Sequence, residues 1–208
     1  MNIIIDYGLG NLNSVQKGFE RVGLETKISS DIEEIRKSNS IILPGVGAFR
    51  DAVKLLEEKN LKNLIIEEVN KGKNILGICL GMQLLYDKSF ENGEFDGLGL
   101  IKGNIKKFDI SLKVPHMGWN NLKFQQNNPI LKYIKEGDYV YYVHSYYAEG
   151  EEEDLIAYSE YEVKVPGIVN RENIYGIQFH PEKSGTVGHN ILKAYKEIIS
   201  WKFFQQLI

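Results

Sequence analysis

The stretch Asn74-Ile75-Leu76-Gly77-Ile78-Cys79-Leu80-Gly81-Met82-Gln83-Leu84-Leu85 decides the fold. Its first five residues make a short run of strand length, and Met82, Leu84, Leu85 and Tyr86 then follow in a helical pattern. Gly77 and Gly81 stand two before and two after Cys79, the spacing of a tight strand-to-helix corner that lifts a nucleophile above a sheet. A thiol there lies at a helix N-terminus, where unpaired N–H groups and the helix dipole favour its anion. Taken alone, the pattern fits an inert buried cysteine equally well.

Working back from this corner, Asn2 to Asp6 reads as a buried strand ended by Tyr7-Gly8-Leu9-Gly10. Asn11 is placed to cap a helix carrying Leu12, Val15, Phe19 and Val22, and Gly23 stops it. A strand near Glu25 to Ser29, a short helix from Asp31 and the strand Ser40 to Leu43 follow, broken by Pro44-Gly45-Val46-Gly47. Helical stretches at Ala48 to Glu58 and Leu61 to Lys71 lead into the quoted strand. This βαβαβ rhythm predicts an α/β fold: an open, twisted, mostly parallel sheet flanked by helices.

The second half is β-rich. Strands are expected at Ile101 to Phe108, Trp119 to Phe124, Asp138 to His144, Leu155 to Tyr158, Val165 to Val169 and Ile174 to Phe179. A last helix from about Gly185 to Trp201 carries Val187, Ile191, Leu192, Tyr195, Ile198 and Ile199 on one face. Glu149 to Asp154 reads as a solvated acidic turn, without the ligand spacing or internal glycine that calcium requires. The apolar tail Trp201 to Ile208 is set apart as packing on the sheet or on another chain. No linker or repeat divides the chain, so one domain over residues 1–208 is expected.

Composition narrows the function. Lys plus Arg is 25 against 28 for Asp plus Glu, a net charge of −3, which argues against nucleic acid as a partner. The single cysteine excludes an internal disulfide framework and a multi-thiolate zinc site. No run approaches the roughly 20 apolar residues that span a bilayer, and no signal peptide is visible, so a cytosolic protein without membrane attachment is expected. No metal and no cofactor are expected.

The chemistry rests on three pieces. His180-Pro181-Glu182 follows the strand Tyr175 to Phe179 directly, and the proline biases His180 towards an extended conformation. Cys79, His180 and Glu182 then supply nucleophile, base and orienting carboxylate. Pro44-Gly45-Val46-Gly47 ends another parallel strand on the same rim, where such sheets build their sites. Backbone N–H groups of Val46 or Gly47, with that of Leu80, can meet a developing oxyanion.

Together these pieces resemble the class I (triad) glutamine amidotransferases, whose fold is flavodoxin-like. Asp6-Tyr7-Gly8-Leu9-Gly10-Asn11-Leu12, Pro44 to Phe49, Gly77 to Leu85, Pro115-His116-Met117-Gly118-Trp119-Asn120 and His144-Ser145-Tyr146-Tyr147 resemble the glutaminase subunits of imidazole glycerol phosphate synthase. The resemblance runs from Met1 to the last helix. It implies that L-glutamine is hydrolysed through a Cys79 thioester, with Gln83 and the Ser145-Tyr146 backbone binding the amino-acid end. It also implies a heterodimer with a cyclase subunit, a (β/α)8 barrel that takes up the ammonia in histidine biosynthesis and releases imidazole glycerol phosphate and an aminoimidazole carboxamide ribotide. Asn11, His116 and Trp119 are then candidates for the docking face and ammonia exit; a core tryptophan is the plain alternative for Trp119. The glycines of the Pro44 to Gly47 loop would allow a peptide flip that gates the reaction. His189 reads as structural. Three other functions stay open at this point: a paralogue feeding ammonia to sugar amidination in surface-glycan synthesis, a cysteine hydrolase or chaperone of the flavodoxin-like superfamily, and a non-catalytic scaffold.

Overall fold

A computed structural model describes the backbone of residues 1–206 and the side chains of residues 1–200, so the apolar tail falls outside the described side chains. The first half runs β1 (Asn2–Ile5), α1 (Leu12–Arg21), β2 (Thr26–Ser29), α2 (Ile32–Lys37), β3 (Ser40–Leu43), α3 (Phe49–Glu58), α4 (Leu61–Asn70), β4 (Asn74–Ile78) and α5 (Leu80–Leu84). The second half contains β5 (Tyr86–Ser89), β6 (Phe95–Asp96), β7 (Ile101–Lys107), β8 (His116–Asn121), β9 (Lys123–Phe124), β10 (Tyr139–His144), β11 (Tyr146–Gly150), β12 (Leu155–Tyr161), β13 (Val163–Arg171), β14 (Ile174–Ile177) and α6 (Gly185–Gln206).

Eight strands form the main sheet in the order β2-β1-β3-β4-β14-β13-β12-β9. The pairings from β2 across to β14 are parallel, and those from β14 out to β9 are antiparallel. The sheet is therefore mixed, with four parallel pairings in its first part and three antiparallel ones at its far edge. Hairpin connections in the second half, without crossover helices, impose that change. Two smaller sheets, β10-β8 and β11-β7-β5-β6, stand beside it.

Alternation along the buried strands divides the core into two layers. Ile3, Ile5, Ile41, Leu43 and Ile75 pack towards Phe49, Leu56 and Leu64 of α3 and α4. Ile4, Ile42, Leu76, Ile78 and Ile177 face Phe19 of α1 and Leu192 and Tyr195 of α6. After an opening polar residue (Asn2, Ser40 and Asn74), β1, β3 and β4 continue without a polar side chain because both of their faces are covered.

Several local expectations are corrected. The helix after Cys79 ends at Leu84, and Tyr86 opens β5, where its buried ring joins the α3/α4 layer. Asn11 precedes α1 without a side-chain cap; its carbonyl accepts from the Ser14 and Val15 N–H groups. Trp119 to Phe124 divides into β8, which begins at His116 and pairs with β10, and the short β9, which pairs with β12, because the chain passes from one sheet to another at buried Leu122. The acidic run is not a simple solvated turn. Glu149 and Gly150 belong to β11, and buried Asp154 accepts from Arg171 Nε with both oxygens at 3.0 Å. Glu151 and Glu153 pair with the same guanidinium.

Candidate active site

The corner between β4 and α5 leaves Cys79 at φ 54° and ψ −112°, a strained conformation for a residue with a side chain. Its N–H donates to the Ile177 carbonyl at 2.7 Å, which anchors the turn to β14. The flanking glycines are steric necessities. A Cβ on Gly77 would lie 2.6 Å from the Gly81 carbonyl oxygen, and one on Gly81 only 1.7 Å from that of Leu43.

β14 lies beside β4 in parallel register, with Ile177 opposite Ile78, so the segment after each strand reaches the same rim. His180 is extended, at φ −96° and ψ 97°, and Pro181 begins a short turn that returns Glu182 to the imidazole. His180 Nδ1 lies 2.8 Å from Glu182 Oε1, and both side chains are buried. The His180 backbone is held in turn: its N–H donates to the Tyr141 carbonyl, and its carbonyl accepts from Ser184 Oγ. Burial alone would lower the basicity of this ring. Hydrogen bonds and charge attraction from Cys79 and Glu182 outweigh it, and the imidazole is raised to about 9.

A cavity of about 470 Å³ opens beside the sulfur. Val46, Gly47, Leu80, Gln83, Ser145 and Tyr146 all line it, together with Cys79 and His180. Glu182 is not part of this wall; it stands behind the ring it contacts. Gln83 is buried rather than a helix-surface residue. Its Nε2 donates to the Tyr146 carbonyl at 3.0 Å and to Gln178 Oε1 at 3.1 Å.

Two residues of the site escape the motif reading. Among the described residues, Glu91 is the one carboxylate on the cavity wall, and its Oε2 accepts from the Phe49 N–H at the start of α3 at 2.8 Å. Its place in the chain, on the loop after β5, holds no periodic signal. Gln178 is fully buried, with Nε2 4.0 Å from the Cys79 sulfur. It lies on the bend that follows β14, where the sequence holds no periodic signal for the direction of its side chain.

The expected docking residues separate. Trp119 is 56% exposed beside Met117 on β8, so it is not a core tryptophan, and Asn11 is also exposed. His116 instead turns inward. Its Nδ1 lies 3.0 Å from His144 Nε2, and its ring stacks on those of Tyr142 and Tyr161. Burial lowers His116 to about 4 and, against the Tyr146 carbonyl contact, lowers His144 to about 3, so both rings are neutral at pH 7. His189 lies on the far side of Glu182 in a separate cavity with Arg21 and Thr186.

Among the described residues, no group of three or more His, Cys, Asp or Glu side chains is arranged to hold a metal ion. Nor is any helix there long and apolar enough to cross a membrane. The arrangement can attack a carbonyl carbon with sulfur and move a proton through an oriented imidazole.

Comparison with known proteins decides the family. The profile described as glutamine amidotransferase class-I matches residues 3–197. The chain is 50% identical over 197 residues to the imidazole glycerol phosphate synthase subunit HisH of Caldanaerobacter subterraneus subsp. tengcongensis, covering 94% of this chain and 97% of that protein. The chain belongs to the HisH family of class-I glutamine amidotransferases. A second HisH, from Lactococcus lactis subsp. lactis, is 52% identical over 198 residues, covering 95% of this chain and 98% of that protein. A crystal structure described as a glutamine amidotransferase superposes with a TM-score of 0.76 at 17% identity, covering 95% of this chain and 98% of the other, and it shares the α/β fold. As a HisH, the chain is one subunit of an enzyme with at least one other.

Proposed function

We propose that Cys79, His180 and Glu182 carry the glutaminase reaction of imidazole glycerol phosphate synthase in histidine biosynthesis. The Cys79 thiolate attacks the side-chain amide carbon of L-glutamine. The oxyanion is met by the N–H of Leu80 and by that of Val46 or Gly47. His180, raised to about 9, is protonated at neutral pH and gives its proton to the departing nitrogen, so ammonia leaves and a γ-glutamyl thioester remains. The now neutral ring takes a proton from water, which attacks the thioester; glutamate departs and the thiolate returns. Glu182 holds the ring at Nδ1, keeping Nε2 directed at the reacting atoms.

The amino-acid end of glutamine lies between Gln83 and the Ser145-Tyr146 backbone. The Glu91 carboxylate supplies the charge that an α-ammonium group requires. The observation that carries this reading is the alignment of imidazole and carboxylate behind a strained cysteine that borders an amino-acid-sized cavity.

Ammonia released into water is protonated and loses its nucleophilicity, so it must pass directly to an acceptor. The partner is the cyclase subunit, a (β/α)8 barrel, joined as a heterodimer. Exposed Trp119 and Met117, with Asn11, form the proposed docking face. The test measures glutamate and cyclase product with both subunits present. Cys79→Ala is expected to lower glutamate release by at least 10³-fold while added ammonium salt still supports the cyclase. Glutamate release at the wild-type rate, or failure of the ammonium rescue, would overturn the division of labour.

A further inference from the structure

We infer that Gln178 is a positioning residue for the Cys79 sulfur, holding it as an anion through a directed amide N–H; the inference rests on the glutaminase reading above and deepens it. The chain bends at Gln178 and Phe179 directly after β14. Phe179 turns into the core and is fully buried, while Gln178 and His180 turn together towards the corner. The register of β14 on β4 makes Gln178 and Cys79 neighbours, each being the next residue after a paired Ile177 and Ile78.

Hydrogen bonding settles which way the amide points. The Tyr146 carbonyl can only accept, so the Gln83 atom 3.0 Å away is its nitrogen. That nitrogen gives its second hydrogen, at 3.1 Å, to an acceptor on Gln178, which must be Oε1. Gln178 Nε2 is thereby turned to the opposite side, where it meets Sγ at 4.0 Å. Gln178 is 1% exposed, and a buried N–H left without an acceptor is costly. An ionised sulfur is a far better acceptor than a thiol or a thioester, so the amide favours the anion both before attack and as it leaves the thioester. Gln178 also connects the nucleophile to Gln83, which places both on one hydrogen-bonded unit with the Tyr146 carbonyl.

Among the described residues, the charged and titratable groups facing the sulfur are His180, with Glu182 behind it, Tyr7, whose phenol is pushed up by burial and by the sulfur's charge, and Glu91, His144 and Tyr146 along the cavity wall. Substitution of Gln178 leaves all of them in place. The probe is iodoacetamide, followed against pH in the full-length chain, where Cys79 is the single thiol.

Gln178→Leu removes the donor, and Gln178→Glu keeps the size while replacing the donor by a second acceptor. Both are expected to slow alkylation at pH 6 by roughly three- to tenfold, the rates converging with wild type at alkaline pH, with the larger loss in the glutamate variant. Profiles that superimpose on wild type in the folded variants would overturn the inference. If the leucine variant fails to fold, the isosteric glutamate variant decides alone. The two readings fail separately: an active Cys79→Ala enzyme removes the glutaminase mechanism, whereas an inactive Cys79→Ala enzyme together with Gln178 variants whose alkylation profiles superimpose on wild type removes only the role of Gln178.

Discussion

At the residue scale, the site is a set of buried polar groups whose protonation the fold controls in opposite directions. His116 and His144 are neutral because charging them inside the stack of Tyr142 and Tyr161 is unfavourable. The unfolded chain binds protons at these positions below about 6.5, whereas the folded chain does not until about 4 and 3. Their contribution to stability is therefore present above pH 6.5 and lost as the pH falls through those values. His180 runs the other way: its contribution is complete below pH 6.5 and is lost as the pH rises through about 9. Stability from these three groups is expected to peak near pH 6.5, with a change of a few kcal/mol on either side. Thermal melts against pH measure it. His116→Phe, which keeps a ring in the stack but does not titrate, should flatten the fall between pH 6.5 and 4. An acid limb of unaltered slope in that variant would contradict the assignment. The triad and Gln83 could be read from short motifs because their spacing is local to each motif. Glu91 could not, since a loop carboxylate looks the same whether it faces a cavity or water.

At the scale of elements, two junctions hold the site. The first is the corner at Gly77 and Gly81, where α5 is pressed onto the end of β3. Gly81→Ala would place its methyl group 1.7 Å from the Leu43 carbonyl oxygen, a backbone atom unable to move alone. The variant is expected to lose at least about 3 kcal/mol of stability and most of its glutaminase activity, read by urea denaturation and glutamate release. Near-native stability would show that β3 can shift away from α5. The second junction is Arg171 of β13, gathered by Asp154, Glu151 and Glu153. Removing the guanidinium leaves Asp154 buried and unpaired, so Arg171→Ala is expected to be destabilised by about 3 kcal/mol, and Arg171→Ala with Asp154→Ala by distinctly less. Equal losses in the single and double variants would show that the pair acts only through packing. β1, β3 and β4 were legible as largely apolar runs because both faces of each are covered. β5, β6 and β11 were not, because they are short, flank turns and carry charges such as Asp87, Lys88 and Glu149.

At the scale of the whole molecule, the sheet places three chain segments on one rim, and the exposed Met117 and Trp119 lie on a ribbon whose other strand ends at His144, beside Ser145 and Tyr146 of the cavity. A partner seated on that ribbon is thus positioned to influence the substrate side. Glutamate release by the isolated chain is expected to be slow and to rise at least tenfold when a cyclase subunit and its nucleotide are added. Trp119→Ala should weaken association by 10-fold or more, as an exposed aromatic anchor does, with titration calorimetry as the measure. Full activity without the partner, or unchanged affinity in the variant, would count against the docking face and the gating. Sequence alone determined the α/β class, the corner at Cys79, the His180-Glu182 pair and the likeness to triad glutaminases, since each depends on local periodicity, steric limits at glycine or spacing within a few residues. Only the tertiary structure decided that the sheet is mixed, that His116 faces inward while Trp119 faces out, and that Glu91 and Gln178 join the site. Those outcomes depend on which strands pair and on which face each side chain is left, and strand pairing between distant segments is determined by the packing of the complete core.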